Sequence, residues 1–585
     1  MQENTATSSN ALHHSESIAS GINKVFEHRK NFIVIGLTGR TGSGCTTAAQ
    51  ILGSSYEKLR IPSIANPPKT HEDRKWKIIQ MWAENHWRPF TTVSATSLIL
   101  MLAIERGANK FASLAKEIEP KINKNNLTSE LKIYESDAKQ SLKTIKELRT
   151  KNQSQESIEF AFKFFTERAN DALLLVKDLT KNHGAAYTKL FQELGNNIRC
   201  SGDPFDKSIN PNSIFTIPET LESIIRLLRK YFENIKNQEM YIAIDALRHP
   251  YEIRYLRERI SSFYTVAVST TDLERRRRLH DLQLTTAQVQ QLDETEYPDK
   301  IADTDQYIGL VKQNIQACLE LSDIYISNTG GDEKNRQELA RQLVHYVSLM
   351  QHPGLVTPTA IERCMQAALT AKANSGCISR QVGAVVTDKN YSIKAMGWND
   401  APHGQVPCLL RNAVHLNQED FDTDAYSDYE KSNSEFKNIV IKSYHNPDSE
   451  NYLGRNLSYC FKSAYNTQTR TKNQVHTRSL HAEENAFLQI AKYGGQSIDG
   501  GMLFTTASPC ELCAKKAYQL GIKKIYYIDP YPGIATTHVL ASGNIRPETQ
   551  LFDGAIGTAY HNLYQPIMSF KDELPRLLAA RKAPA

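Results

Sequence analysis

At 585 residues, with 40% hydrophobic and 23% charged residues, the chain is too long for a single core; at roughly 150 residues per domain, two to four domains are expected. A net charge of +6 is too mild at this length to argue for nucleic acid as a partner and is compatible with phosphate-bearing ligands. The longest nearly apolar run, Ser94–Ile104, has about half the ~20 residues a membrane helix needs, and the N-terminus lacks the layout of a signal peptide, so a cytoplasmic location without a membrane partner is expected.

Residues 1–22 hold almost no large apolar side chains and are expected to form a disordered tail. From residue 23 to about 350 the text is that of a parallel α/β domain. Phe32–Leu37 reads as a buried strand and runs into Gly39-Arg40-Thr41-Gly42-Ser43-Gly44-Cys45-Thr46-Thr47, followed by a helical stretch from Ala48 to Leu52. Strand, glycine turn and helix is the context of a phosphate loop, in which Gly39, Gly42 and Gly44 let backbone N–H groups close on phosphate oxygens. Cys45 stands where that pattern requires lysine, while Thr46 keeps a hydroxyl able to hold Mg2+ beside a nucleotide. A nucleotide-binding loop is therefore expected in preference to a structural turn, and phosphate transfer is not.

Tyr241–Asp245 reads as a second strand ending in an acid, Asp245, of the metal-associated kind; Phe263–Val268 and Asp323–Asn328 add two more. The basic run Glu274–Arg278 reads first as an exposed helix face. Between about 115 and 181, apolar residues such as Leu131, Ile133, Leu142, Ile145 and Leu148 recur at helical spacing among lysines and glutamates, which suggests a helical insertion of the solvated hairpin kind.

Gln351-His352-Pro353-Gly354 marks the start of a second domain, expected to span 351–585. A helix from Pro358 to Ala373 is expected, with Thr357 as its cap, then two strands around Val382–Val386 and Ile393–Trp398 joined by a hairpin turn. Residues 411–476 are polar, with acids at Asp420, Asp422, Asp424 and Asp428, and read as a loop-like insertion.

His481-Ala482-Glu483 opens one predicted helix and Pro509-Cys510-Glu511-Leu512-Cys513 opens the next, with a strand between them. Cys510 and Cys513 lie one turn apart, so both sulfurs can face the same metal as His481. Glu483 points to another side of its helix, where it can serve water at the metal's open position. Either half alone is common in structural or redox settings; their conjunction points to a hydrolytic zinc centre.

These residues resemble the deoxycytidylate deaminase family. The resemblance extends to Ser375-x-Cys377-x-x-Arg380-x-Val382-Gly383-Ala384-Val385-Val386, Gly397-Trp398-Asn399 and Tyr531-Pro532-Gly533, over about 357–570. It implies a cytidine-deaminase-like α/β/α domain with Zn2+ on His481, Cys510 and Cys513. Glu483 would take a proton from the attacking water, deliver it to N3 of cytosine and then protonate the departing amine. Asn399 would contact the sugar, Arg380 the phosphate side, and Tyr531 the substrate wall. A second, structural zinc on Cys377, Cys408 and Cys460 or His476 occurs in some relatives, although buried free thiols are the commoner outcome.

The first half resembles nucleoside monophosphate kinases, in which an arginine lid sits near the position of Glu274–Arg278. The two halves together resemble the antiphage dCTP deaminases of bacteria. That resemblance implies deamination of dCTP, with dCMP as a second substrate, a regulatory nucleotide at the P-loop, and a homo-oligomer. A repressing RNA or protein partner at the lysine-rich 121–151 segment is a weaker expectation. Two other readings stand beside it: a polynucleotide cytosine or tRNA adenosine deaminase, disfavoured by the acidic 411–476 stretch, and a nucleotide-sensing regulatory protein.

Overall fold

The computed structural model describes residues 31–62, 67–148, 150–297, 306–418, 422–444, 450–494, 497–529 and 534–581, with Gly21 and Lys24; apart from those two residues, the expected N-terminal tail lies outside them. The chain forms two compact units, Met1–Thr357 with Thr558–Ala585, and Pro358–Gly557.

The first unit is built on parallel strands. β1 (Phe32–Thr38), β2 (Thr91–Ser94), β3 (Met240–Asp245), β4 (Phe263–Ser269) and β5 (Ile324–Ser327) run in the order β5-β4-β1-β3-β2. Val34 stands opposite both Ile242 and Phe263, so β1 is central, and its continuous apolar run follows from being covered on both faces. β2 was not legible in the sequence, because Thr91-Thr92-Val93-Ser94 is short and mostly polar. It is a strand because β3 offers it a ladder.

The solvated hairpin expected over 115–181 is corrected. Helices Ala108–Ile118, Lys124–Lys132, Glu135–Glu147, Gln155–Lys163 and Ala169–Thr180 fill this region, and Leu131, Leu142, Ile145 and Leu148 are buried in one cluster with Val34 and Ile242 of the sheet. Only Ile133 of the five apolar markers faces solvent. The organising element is helix Ala95–Arg106, in which every residue from Leu98 to Ile104 is buried. A helix apolar on all sides must be surrounded, and three of these helices pack against it. It is also why Ser94–Ile104 is apolar without crossing a membrane; among the described residues no helix is long and apolar enough to do so.

The second domain was expected to run to residue 585, but from Thr558 the chain belongs to the first unit. Gly354 N donates to Leu563 O at 2.8 Å, and His352 Nε2 pairs with Glu573 at 3.0 Å while stacking on Phe570. Nothing local in the sequence marks this return.

The second unit opens with helix Ala360–Lys372, capped by Thr359 and Glu362 rather than Thr357. Its sheet has strands β6 (Gly383–Thr387), β7 (Ile393–Trp398), β8 (Met502–Ala507), β9 (Lys524–Asp529) and β10 (Glu548–Leu551), in the order β10-β9-β8-β6-β7. β6 and β7 form the expected antiparallel hairpin, whereas β8, β9 and β10 are mutually parallel.

The loop-like reading of 411–476 is also corrected. Short helices Asp428–Ser432, Ser434–Lys442 and Phe461–Thr469 enclose a small core of Leu416, Tyr426, Phe436, Val440, Leu457 and Tyr459. At its centre Arg411 and Glu430, both fully buried, form an ion pair joined by Tyr459 and Arg478. Burial alone would raise the Glu430 carboxyl, but the Arg411 charge and the Ser427 N–H outweigh it and hold the carboxyl below the usual range.

Candidate functional site

His481 is the N-cap of helix Ala482–Tyr493, and Cys510 is the N-cap of helix Glu511–Gln519. At both helix starts, the first after a loop and the second after β8, the backbone is still extended and the side chain projects from the N-cap position. Cys513, in the first turn, lies on the same side as Cys510. His481 Nδ1 is 3.2 Å from Cys510 Sγ and 3.5 Å from Cys513 Sγ, and the three ligand atoms all lie within 4.8 Å of one another.

Two thiols and an imidazole at this separation suit zinc, whose tetrahedral preference leaves a fourth position for chemistry. The hydrogen bond from Cys513, and that with His481, draw the Cys510 thiol down to about 3, and the bond to Cys510 pushes Cys513 up in return.

Glu483, 4% exposed, lies two residues beyond His481; burial is the chief cause that holds its carboxyl above the usual range. The helix that carries both residues sits tightly on the sheet because β7 has a glycine beneath it. A Cβ at Gly397 would meet Ala482 O at 2.1 Å. Asn485 Nδ2 ties the same turn to Trp398 O at 3.0 Å.

Asn399 is brought to this centre by an isolated antiparallel bridge between Asp400 and Leu480, the neighbours of Asn399 and His481. Its main chain is fixed by Ser375 Oγ, which donates to Asn399 O at 2.7 Å, and its own Oδ1 is buried with no hydrogen-bond partner among the described residues. Arg380 is ion-paired with Asp529 Oδ2 at 2.5 Å, at the end of β9. Sequence reading missed Asp529, since a strand-end acid 149 residues from its arginine carries no local signal. Tyr531 lies outside the described residues. Among those residues no second group of three ligands converges; Cys377 and Cys408 are buried thiols, and burial pushes Cys408 up.

In the first unit, the turn from Gly39 to Gly44 connects β1 to helix Cys45–Leu52. Gly42 and Gly44 have φ of 89° and 105°, and a Cβ at Gly39 would meet Val268 O at 2.5 Å, so these glycines answer to backbone geometry. Thr46 Oγ1 donates to Asp245 Oδ2 at 2.9 Å, which brings together the hydroxyl and the carboxylate singled out in the sequence. Burial pushes the Cys45 thiol up to about 12, with Asp245 adding to it, so a neutral group occupies the lysine position.

The exposed-face reading of Glu274–Arg278 holds for Arg276 and Arg277 but not for Arg275 or Arg278. Arg275 is 1% exposed and donates to Thr41 O at 2.9 Å, and Arg278 reaches Gly42 O and Ser43 O at 3.2 Å. The run belongs to helix Asp272–Asp281, which lies on the glycine loop through these two arginines.

The cytidine and deoxycytidylate deaminase zinc-binding region matches residues 358–529, a span that contains the three ligands and Glu483. The deoxycytidylate deaminases of Enterobacteria phages T2 and T4 are each 32% identical over 173 residues, covering 28% of this chain and 78% and 76% of theirs. ComE operon protein 2 of Bacillus subtilis is 44% identical over 54 residues, 9% of this chain and 28% of its own. Crystal structures of the dCMP deaminase of cyanophage S-TIM5, in apo form and in complex with dCMP and dUMP, are 26% identical, cover 34% of this chain and 100% and 99% of theirs, and align with TM-scores of 0.19 and 0.21, too low to carry an argument. The second unit is thus that of a nucleotide deaminase with a zinc-binding region. The chain belongs to the cytidine and deoxycytidylate deaminase family.

Proposed function

We propose that this chain hydrolyses the 4-amino group of a deoxycytidine nucleotide, dCTP in the first place and dCMP in the second, at the His481, Cys510 and Cys513 centre. The observation that carries the reading is the convergence of these three ligands beside the buried Glu483 carboxylate. Zinc, when held by the three residues, supplies Lewis-acid activation of water.

Glu483 moves the protons. Its carboxyl, raised by burial, can take one from water as C4 of cytosine is attacked, pass it to N3, and protonate the leaving amine, so that cytosine and water become uracil and ammonia. Asn399 offers its unpartnered Oδ1 to a sugar hydroxyl. Arg380 holds the phosphate side, with Asp529 fixing its direction.

In the same reading the Gly39–Thr46 turn is a phosphate loop that binds a regulatory nucleotide, and Thr46 and Asp245, hydrogen-bonded to each other, are the residues that would hold its Mg2+, which would neutralise phosphate charge. The neutral Cys45 makes it a binding loop and not a transferring one. The cellular role would be depletion of the dCTP pool in phage-infected cells, by a homo-oligomer.

Product chromatography over dCMP, dCDP, dCTP and a cytosine-containing oligonucleotide, with and without ATP, GTP or dTTP, tests the reading. Release of dUTP or dUMP with ammonia is expected. Activity confined to the oligonucleotide would replace it with a polynucleotide deaminase.

A further inference from the structure

The N–H groups of a glycine loop attract anions, and in the first unit one of them already has one. Thr41 N donates to Glu296 Oε1 at 2.8 Å, and Thr41 Oγ1 donates to the same oxygen at 2.5 Å. Three guanidinium groups face that carboxylate: Arg248 Nη1 at 3.2 Å, Arg275 Nη2 at 3.4 Å and Arg40 Nε at 4.0 Å. Asp293, one turn earlier, pairs with Arg40 at 2.7 Å and with Arg275 at 2.6 Å. The Glu296 side chain is fully buried in this setting.

A backbone N–H, a hydroxyl and several guanidinium groups around one carboxylate are the same donors a phosphate oxygen would require. We propose that Glu296 is a built-in anion seated in the cradle of the glycine loop, and that the ligand of this cradle is a polyphosphate chain, which displaces the Glu296 carboxylate in order to bind. The inference rests on the reading of Gly39–Thr46 as a phosphate loop and adds to it the occupant and the class of its competitor. A chain of phosphates, rather than a single one, can engage both groups at once: Thr41 with the arginines, and Thr46 with Asp245 through a divalent cation.

Two anions cannot share these donors without strong repulsion, so binding and release of Glu296 are coupled. Glu296 is the last residue of helix Thr286–Glu296, and Gln288, Gln291, Leu292 and Thr295 of that helix line a cavity of about 590 Å³. The helix is therefore not closely packed along its whole length.

The test uses the full-length chain and magnesium tripolyphosphate as the probe. Calorimetric titration is expected to show about tenfold tighter binding to Glu296→Gln than to the wild type, because the competing charge no longer occupies the donors. Arg248→Ala should abolish binding. Hydrogen exchange of the wild type should slow at residues 39–46 and accelerate at residues 286–296 when tripolyphosphate is added. That second readout needs no variant and decides the matter if Glu296→Gln fails to fold. Equal affinities, or protection of 39–46 with no change at 286–296, would overturn the role of Glu296 and leave the phosphate-loop reading standing. Absence of protection at 39–46 would overturn both.

Discussion

Glu483 combines two properties that rarely coexist: deep burial and a position next to a group of metal ligands. Burial disfavours its charged form, while the neighbouring His481 and the start of its own helix favour it, and burial prevails, so the carboxyl lies above the usual range; the proposed role in proton transfer asks for such a group. Glu483→Gln keeps the shape and removes the proton exchange. Deamination should fall by about 10²–10⁴-fold while zinc content, read by atomic absorption, stays at the wild-type level. Full activity in that variant would remove Glu483 from the chemistry. Arg275 makes the converse point, since the basic run predicted a solvent-facing charge and the residue is a buried guanidinium on the loop backbone.

At the scale of an element, His249 shows how one cap ties stability to pH. It is the N-cap of helix Pro250–Arg259, with Nδ1 accepting from Tyr251 N at 3.3 Å and Nε2 facing Leu310 O at 2.8 Å. Both bonds need the neutral ring protonated on Nε2. Burial, followed by repulsion from Arg199, holds its pKa well below the ordinary value near 6.5. The unfolded chain therefore binds the proton first. This contribution to stability is complete above about pH 6.5 and is lost as the pH falls toward the folded value, at up to about 1.4 kcal/mol per pH unit. His249→Asn preserves the cap acceptor and removes the titration. Urea unfolding at about pH 7.5 and pH 5.5 should show a smaller loss of stability on acidification for the variant than for the wild type; equal losses would mean the acid sensitivity arises elsewhere.

For the whole molecule, the helical region between β2 and β3 is part of the first unit's core and not an appendage. Leu142 is fully buried in the cluster that includes Val34 of β1. Leu142→Ala should therefore destabilise the first unit by about 2–5 kcal/mol, measured by denaturant unfolding. A loss below about 0.5 kcal/mol would restore the solvated-hairpin reading.

The convergence of His481, Cys510 and Cys513 was legible because their spacing is local. A Cys-x-x-Cys step is one helical turn wherever it occurs, and His-x-Glu puts a ligand and a carboxylate on different sides of one helix start. The apolar strands β1, β3, β4 and β5 were legible for a similar reason, since a run covered on both faces has a composition of its own. Tertiary structure alone decided what meets across long distances: Arg380 with Asp529, His352 with Glu573, the core inside 411–476, and Glu296 in the cradle of Thr41, 255 residues away. These partners are chosen by which surfaces the sheets and helices bring together, and burial then sets the charge state of each group. Spacing along the chain records neither.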